Sequence, residues 1–195
     1  MTTNAVLSQE LTASEIADAR RYLEKTRDDV FAATEGLSEA QWNHRPSSGG
    51  WSIAENVEHI VIVQDRILGP LSQALAGAPE SSSDQAEVID GIIKAKFADR
   101  SRKFNAPELV QPTGQWTPAE SLKRLSENTD RLIQRLEAGP GLRRHRIFSP
   151  PLNALTEGAH TLMDGYHWIL AAAGHTERHT KQIWEVRAGA DFPAS

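Results

Sequence analysis

Two histidines spaced four residues apart, His175 and His179, are the residues of this chain whose type and spacing point most directly to chemistry. They lie in the stretch 168–186, WILAAAGHTERHTKQIWEV. A stripe at helical spacing consists of Trp168, Ala172, His175, His179, Gln182, Ile183 and Val186. On an α-helix these residues share one face, and four residues advance the helix by about 6 Å with roughly 40° of rotation. Two imidazoles at this spacing could therefore bind one metal ion.

The pair differs from the zinc-protease motif HExxH in the position of its glutamate. The segment reads HTERH, so Glu177 follows His175 by two residues instead of one. On a helix this shift moves Glu177 off the face that the histidines share, and a protease mechanism with a glutamate base is not supported. Histidines four apart also occur on solvated helix faces, where they bind nothing. The apolar stripe favours a bound partner, because a buried imidazole needs partners for its ring nitrogens.

A third histidine, His59, begins the segment HIVIV in an earlier predicted helix. Four consecutive apolar residues cover a helix on all sides, which indicates burial on more than one face. We therefore interpret His59 either as a third metal ligand or as a core histidine bonded to a backbone carbonyl. This segment alone favours neither interpretation.

Capping boxes of the form S/T-x-x-E/Q predict where several helices begin. They occur at 12–15, 38–41, 52–55 and 117–120, the last with proline at the first helical position. The predicted helices span about 12–34, 53–68, 117–138 and 164–189, with one turn after Ser38 and an irregular helix within 88–104. Gly69-Pro70 should kink or interrupt the second of them, and residues 105–116 should be extended.

These helices predict one all-α domain over residues 1–195, with its core at about 12–189. A bundle seam is formed by Leu122, Leu125, Thr129, Leu132 and Leu136. The connections show no strand-like alternation, and two are long, so a topology with crossovers is expected. One of them, 142–160, carries the basic run at 143–146, which is either a solvated loop or a site for an anionic substrate group.

The composition excludes several classes of protein. The chain has 195 residues, a net charge of −5 and no cysteine, so it can form neither disulfides nor thiolate metal sites. It has no basic excess to favour nucleic acid or an anionic membrane. The N-terminus lacks a signal-peptide pattern, and no window resembles a membrane span. We expect a cytoplasmic protein whose metal ligands are His, Asp or Glu.

The ordered motifs Trp51-Ser52-Ile53, His59-Ile60 and HxxxHxxQI at 175–183 resemble the DinB family, in particular its YfiT-like, or DinB-2, branch. The segments LSEAQWNHRPSSGGWS and TPAESLKRL resemble the regions before the family's second helix and at the start of its third. The resemblance covers residues 15–188. It implies a four-helix bundle with unusual connectivity and long crossovers. It also implies a metal site formed by His59, His175 and His179.

The resemblance further implies zinc or nickel as the metal, a small-molecule substrate and a homodimer. The absence of cysteine ligands fits zinc, nickel, iron or manganese and does not choose among them. Some relatives are thiol-dependent transferases or isomerases that use a low-molecular-weight thiol. Three neutral histidines leave coordination positions open, which is the catalytic pattern. We therefore expect a thiol-dependent S-transferase or a related transferase, isomerase or hydrolase. A non-catalytic metal-binding protein of the stress response and a scaffold with metal-free histidines are the alternatives. No residue is identified as a general base.

Overall fold

The computed structural model describes residues 10–81, 85–102, 104–138 and 141–194. The helices are α1 (Ala13–Thr34), α2 (Glu39–Asn43), α3 (Ile53–Arg66), α4 (Ser72–Gly77), α5 (Ala86–Lys96), α6 (Pro118–Glu137), α7 (Pro150–Leu155) and α8 (Gly165–Arg187). A π-helical turn spans Ile67–Leu71, a 3₁₀ turn spans Glu108–Val110, and two strands are β1 (Arg146–Phe148) and β2 (Leu162–Asp164). The fold is mostly helical, as predicted.

Four long helices form the bundle. Both α1 and α3 pack against α6 and α8, so α1 and α3 lie at opposite corners although they follow one another in the chain. The short α5 packs on the outside of α8. Because consecutive long helices are not all neighbours, the chain must cross the bundle, which agrees with the long connections. The helix α8 thereby contacts α1, α3 and α5 and is largely buried.

The four predicted capping boxes are all formed, at Thr12, Ser38, Ser52 and Thr117. A fifth box begins α8, where the Asp164 side chain accepts from the backbone of His167 and the His167 side chain accepts from the backbone of Asp164. Histidine replaces the usual Glu or Gln in this box, so the sequence pattern did not reveal it.

The helix that carries His59 does not stop at Gly69-Pro70. The π-helical turn Ile67–Leu71 contains Pro70 and links α3 to α4, which continues to Gly77. Proline lacks the N–H that a regular helical turn requires, and a π turn is one way to accommodate it. The predicted interruption is therefore a local widening of the helix.

Two predictions about the connections differ from the structure. A helix lies within 88–104 as expected, but it ends at Lys96, because Phe97 and Ala98 turn into the core and Asp99 accepts from the backbone N–H of Ser101. Such a local side-chain bond competes with helix continuation. The second error concerns strands: β1 and β2 pair antiparallel around α7. With three residues each, they are too short to show a diagnostic alternation. The segment 105–116 also contains the 3₁₀ turn.

The first residue of the basic run, Arg143, does not extend into solvent as a loop residue would. The side chain of Arg143 is only 9% exposed and contacts three carboxylates: Glu15 at 2.6 Å, Asp90 at 2.6 Å and Asp164 at 3.2 Å. These acids belong to α1, to α5 and to the cap of α8. Arg143 therefore ties three elements together at the end of the bundle where α8 begins, and its charge is matched inside the protein.

Within the described ranges, no helix is both long and apolar enough to cross a membrane.

Candidate metal centre

The structure brings His59, His175 and His179 together, although 116 residues separate the first two. One ring nitrogen from each histidine lies within 4.8 Å of the others. The Nε2 atoms of His59 and His175 are 3.0 Å apart. The ring centroids are 4.5–4.8 Å apart. The helix pair α3 and α8 positions the cluster, because His59 faces α8 and the spacing of four in α8 places its two histidines on one side.

The orientation of His59 is fixed by a backbone group. Its Nδ1 lies 2.6 Å from the carbonyl oxygen of Val110, so Nδ1 carries the proton and donates. This leaves the Nε2 lone pair directed at the cluster. The segment around Val110 is itself held by Glu58, whose carboxylate accepts from the backbone N–H groups of Thr113, Gly114 and Gln115. Two adjacent residues of α3 thus anchor one loop.

The orientation of His179 is fixed by a side chain that the sequence analysis did not identify. Its Nδ1 lies 3.0 Å from Oδ1 of Asn56. The amide of Asn56 donates to the carbonyl oxygens of Ser52 at 2.9 Å and Trp51 at 3.4 Å, which assigns its oxygen to His179. His179 is therefore protonated on Nδ1 and keeps its Nε2 lone pair free. The sequence feature that could have identified Asn56 is its position one turn before His59 on the same helix.

All three histidines are held in the neutral form. Burial lowers the pKa of His59 to about 4, against a smaller opposing effect of the bond to Val110. Burial, followed by the charges of His59 and Arg178, holds the pKa of His175 well below its usual range. Burial and the neighbouring histidines, with Arg178 and Arg100, do the same for His179. Neutral imidazole is the form that binds metal ions.

Trp51 covers one side of the cluster. Its ring centroid lies 4.6 Å from that of His59 and 5.9 Å from that of His179, stacked on the latter at an interplanar angle of 25°. Trp51 directly precedes Ser52, the cap of α3, and its position there explains this placement. His59 and His179 are buried, whereas His175 is partly exposed. The accessible side of the cluster is therefore the side of His175.

The acidic and amide residues near the histidines in sequence serve other partners. Glu55 completes the cap of α3 and contacts Arg45. Glu177 accepts from the Tyr22 hydroxyl at 2.7 Å and pairs with Lys181, as expected for a residue off the histidine face.

Two further side chains that could have faced the cluster also have partners elsewhere. Asp65 accepts from Asn128, and Gln182 accepts from Arg100. Among the described residues, the group of converging ligand atoms consists of the three histidines alone.

The donor set fits a divalent transition metal. Three neutral imidazoles suit zinc, nickel, copper or iron, and ligands about 2.0–2.1 Å from a tetrahedral ion lie about 3.3 Å from one another. The separation of 3.0 Å between two Nε2 atoms is close to this value. Two of the three rings also donate Nδ1–H to an oxygen, which is the arrangement that orients metal-binding histidines. The site can therefore hold one ion with three protein ligands.

Comparisons with known proteins agree with this architecture. The family model of the DinB superfamily matches residues 22–183. The uncharacterized protein YuaE of Bacillus subtilis (strain 168) is 23% identical over 165 residues, which are 84% of this chain and 93% of YuaE. The structure of YfiT from Bacillus subtilis, described as a probable metal-dependent hydrolase with an unusual four-helix bundle topology, has a TM-score of 0.56 and 13% identity. That match covers 91% of this chain and 89% of YfiT.

The likeness to YfiT shows the fold, a four-helix bundle of the DinB type, as the sequence motifs predicted. Because the family model covers most of the residues from α1 to α8, including all three histidines, the chain belongs to the DinB superfamily.

Proposed function

We propose that this chain is a metal-dependent enzyme that joins a small thiol to an electrophilic small molecule, a thiol-dependent S-transferase. The observation that carries the proposal is the convergence of three neutral imidazoles, with one partly exposed edge at His175. A closed structural site would need a fourth protein ligand, whereas three ligands with an open position are typical of catalysis.

A divalent ion bound there would supply Lewis acidity, which lowers the pKa of a coordinated thiol or water. The protein contributes the tautomers of His59 and His179 and the apolar cover of Trp51, which limits access of water from that side. In the reaction a sulfur–carbon bond forms, the bond to the leaving group breaks with its electron pair, and the thiol proton passes to solvent or to the leaving group.

The surroundings favour a thiol over water as nucleophile. The acids nearest to the histidines in sequence already have partners. Glu55 caps α3, Glu58 accepts from backbone N–H groups, and Glu177 pairs with Lys181. None is available as a general base without breaking these contacts. A bound divalent ion such as zinc would deprotonate a thiol outright but would leave bound water with a pKa of about 7, so a thiol needs less help to become a nucleophile.

The test is thiol consumption by metal-loaded protein over a panel of thiols and electrophiles such as alkyl halides, epoxides and activated aryl chlorides. We expect consumption that requires the electrophile, the metal and His59, and that is lost in His59→Ala. The matched control is His160→Ala, since the hydrogen bonds of His160 are made by its backbone. Absence of metal-dependent thiol loss over the whole panel would contradict the proposal.

A metal-dependent hydrolase is the second candidate, favoured by the description of YfiT, which shares the fold. It predicts cleavage of esters, amides or related bonds by metal-loaded protein without any thiol. Hydrolysis that needs the same histidines, together with no thiol consumption, would establish this candidate in place of the transferase.

A further inference from the structure

We infer that the metal centre takes a thiol or substrate that carries an anionic group, and that Arg178, with Arg102 beside it, recognises that group. The inference deepens the proposed function and rests on it. It starts from the position of Arg178 in α8, between the two histidines. Residues three apart on a helix are neighbours, and side chains lean toward the helix N-terminus. The charge of Arg178 lowers the pKa of both His175 and His179, so its guanidinium lies close enough to act on the cluster.

Two cationic side chains meet at one aromatic ring. The guanidinium carbon of Arg178 lies 5.5 Å from the centroid of the Phe104 ring, and that of Arg102 lies 5.7 Å from it. The ring itself is 46% exposed. The ring attracts each cation, and two guanidinium carbons within 5.7 Å of one ring centroid place two positive charges around it. In a chain of net charge −5, such a local excess marks a place where an anion would be stabilised.

Asp99 and Glu185 are the carboxylates near Arg178, but they bond to Ser101 and Arg100, and the hydrogen-bond partners of Arg178 are neutral. Its hydrogen bonds go to the backbone carbonyl oxygens of Asp99 and Arg102, the latter at 2.6 Å, and these carry no net charge. By contrast, Arg100 nearby is paired with the carboxylate of Glu185 at 2.6 and 2.7 Å. Arg102 has a distant acid, Glu157 at 3.8 Å, and both side chains are mostly exposed.

Arginine has five N–H donors in a planar fork, so two carbonyl bonds leave donors for a further acceptor. Carboxylates, phosphates and sulfonates are the groups that such a fork binds best. A purely structural role for Arg178 would consist of holding residues 99–102 against α8. The two roles differ in one respect, because only anion recognition makes affinity depend on the charge of the ligand.

The test compares two thiols of matched length on cobalt(II)-loaded protein: 3-mercaptopropane-1-sulfonate, which is anionic, and 3-mercaptopropan-1-ol, which is neutral. A sulfonate is a weak metal ligand, so its effect reports the protein. Binding is followed by the visible absorption of cobalt. We expect the sulfonate to bind about tenfold more tightly than the alcohol at low salt, as one charge-assisted hydrogen bond would give. This preference should shrink as ionic strength rises.

In Arg178→Gln the preference should fall to about one while the affinity for the alcohol stays unchanged, and Arg178→Lys should keep part of it. Arg102→Gln, at an exposed position, should lower the preference without a risk to folding. Arg124→Gln is the matched control and should leave the preference unchanged. Arg124 lies on another helix, α6, and its guanidinium carbon is 4.4 Å from the centroid of the Trp116 ring. Helical circular dichroism and cobalt content check that each variant is intact.

Equal affinities of the two thiols in the unaltered protein would overturn the inference and leave the proposed transferase standing. A preference that survives in both Arg178→Gln and Arg102→Gln would overturn it as well. If neither thiol perturbs the cobalt spectrum, the thiol-dependent function itself fails, and the inference fails with it.

Discussion

Replacing Asn56 by alanine should weaken metal binding although Asn56 is not itself a ligand. Asn56 is fully buried, and its Oδ1 accepts the Nδ1–H of His179 at 3.0 Å. Its amide nitrogen donates to Ser52 O at 2.9 Å, so the acceptor is rigidly placed. In Asn56→Ala the Nδ1–H of His179 loses this partner. The imidazole can then move its proton to Nε2, which removes the lone pair from the cluster.

The size of the effect follows from these contacts. Loss of a partner that orients a metal-binding histidine typically costs about 10–100-fold in metal affinity. A buried donor left without an acceptor also costs the metal-free protein about 1–3 kcal/mol of stability. The two effects are separable, because one is read in the dissociation constant for zinc and the other in urea unfolding without metal.

Competition for zinc against a chromophoric chelator measures the first quantity. Asn128→Ala is the matched control, since Asn128 is also buried but donates to Asp65, at 2.9 Å, outside the cluster. It should lose stability and keep the affinity of the unaltered protein for zinc. If Asn56→Ala binds zinc as tightly as Asn128→Ala does, the assigned tautomer of His179 is wrong.

Three further predictions concern stability and spectroscopy. A methyl at Gly174 would lie 2.9 Å from Cβ of Phe97, so Gly174→Ala should destabilise the protein by about 1–3 kcal/mol in urea unfolding. Gly91 has open space around it, so Gly91→Ala should stabilise the protein by about 0.5–1 kcal/mol. Equal effects of the two substitutions would contradict the tight packing of α8. The pKa of His59 falls from 6.5 to about 4 on folding, so the unfolded chain binds the extra proton. Stability of the metal-free protein should therefore be full above pH 6.5 and fall toward pH 4 by about 1.4 kcal/mol per pH unit for this residue, a slope that His59→Gln should reduce. Nickel or cobalt should quench the fluorescence of Trp51, which lies 4.6 Å from His59 between ring centroids, and Trp51→Phe should remove the quenched component; unchanged quenching in that variant would place the ion elsewhere.

Much of the architecture could be predicted because it depends on local rules. The caps at Thr12, Ser38, Ser52 and Thr117 combine a hydroxyl and a Glu or Gln three residues later, and each satisfies backbone N–H groups without help from the rest of the fold. The histidine pair of α8 was recognised by spacing alone. Joining His59 to this pair required the family resemblance, because helical periodicity does not say which helices meet.

The errors have a different origin. The strands β1 and β2 are paired across α7, and the end of α5 is decided by the burial of Phe97, so both depend on contacts between distant residues. The same holds for the bonds of the histidine cluster. Val110 contributes a backbone carbonyl, which has no sequence signature, and Arg143 finds its partners only where three acids from separate elements meet.

The central claim is that His59, His175 and His179 hold one divalent ion. The most direct measurement is metal content by mass spectrometry on protein purified without a histidine tag, beside His59→Ala, His179→Ala and the control His160→Ala. We predict about one equivalent of metal in the unaltered protein and in the control, lost in both ligand variants. An unaltered protein that stays empty after reconstitution with zinc, nickel, iron and manganese would contradict the claim, as would full occupancy in either ligand variant.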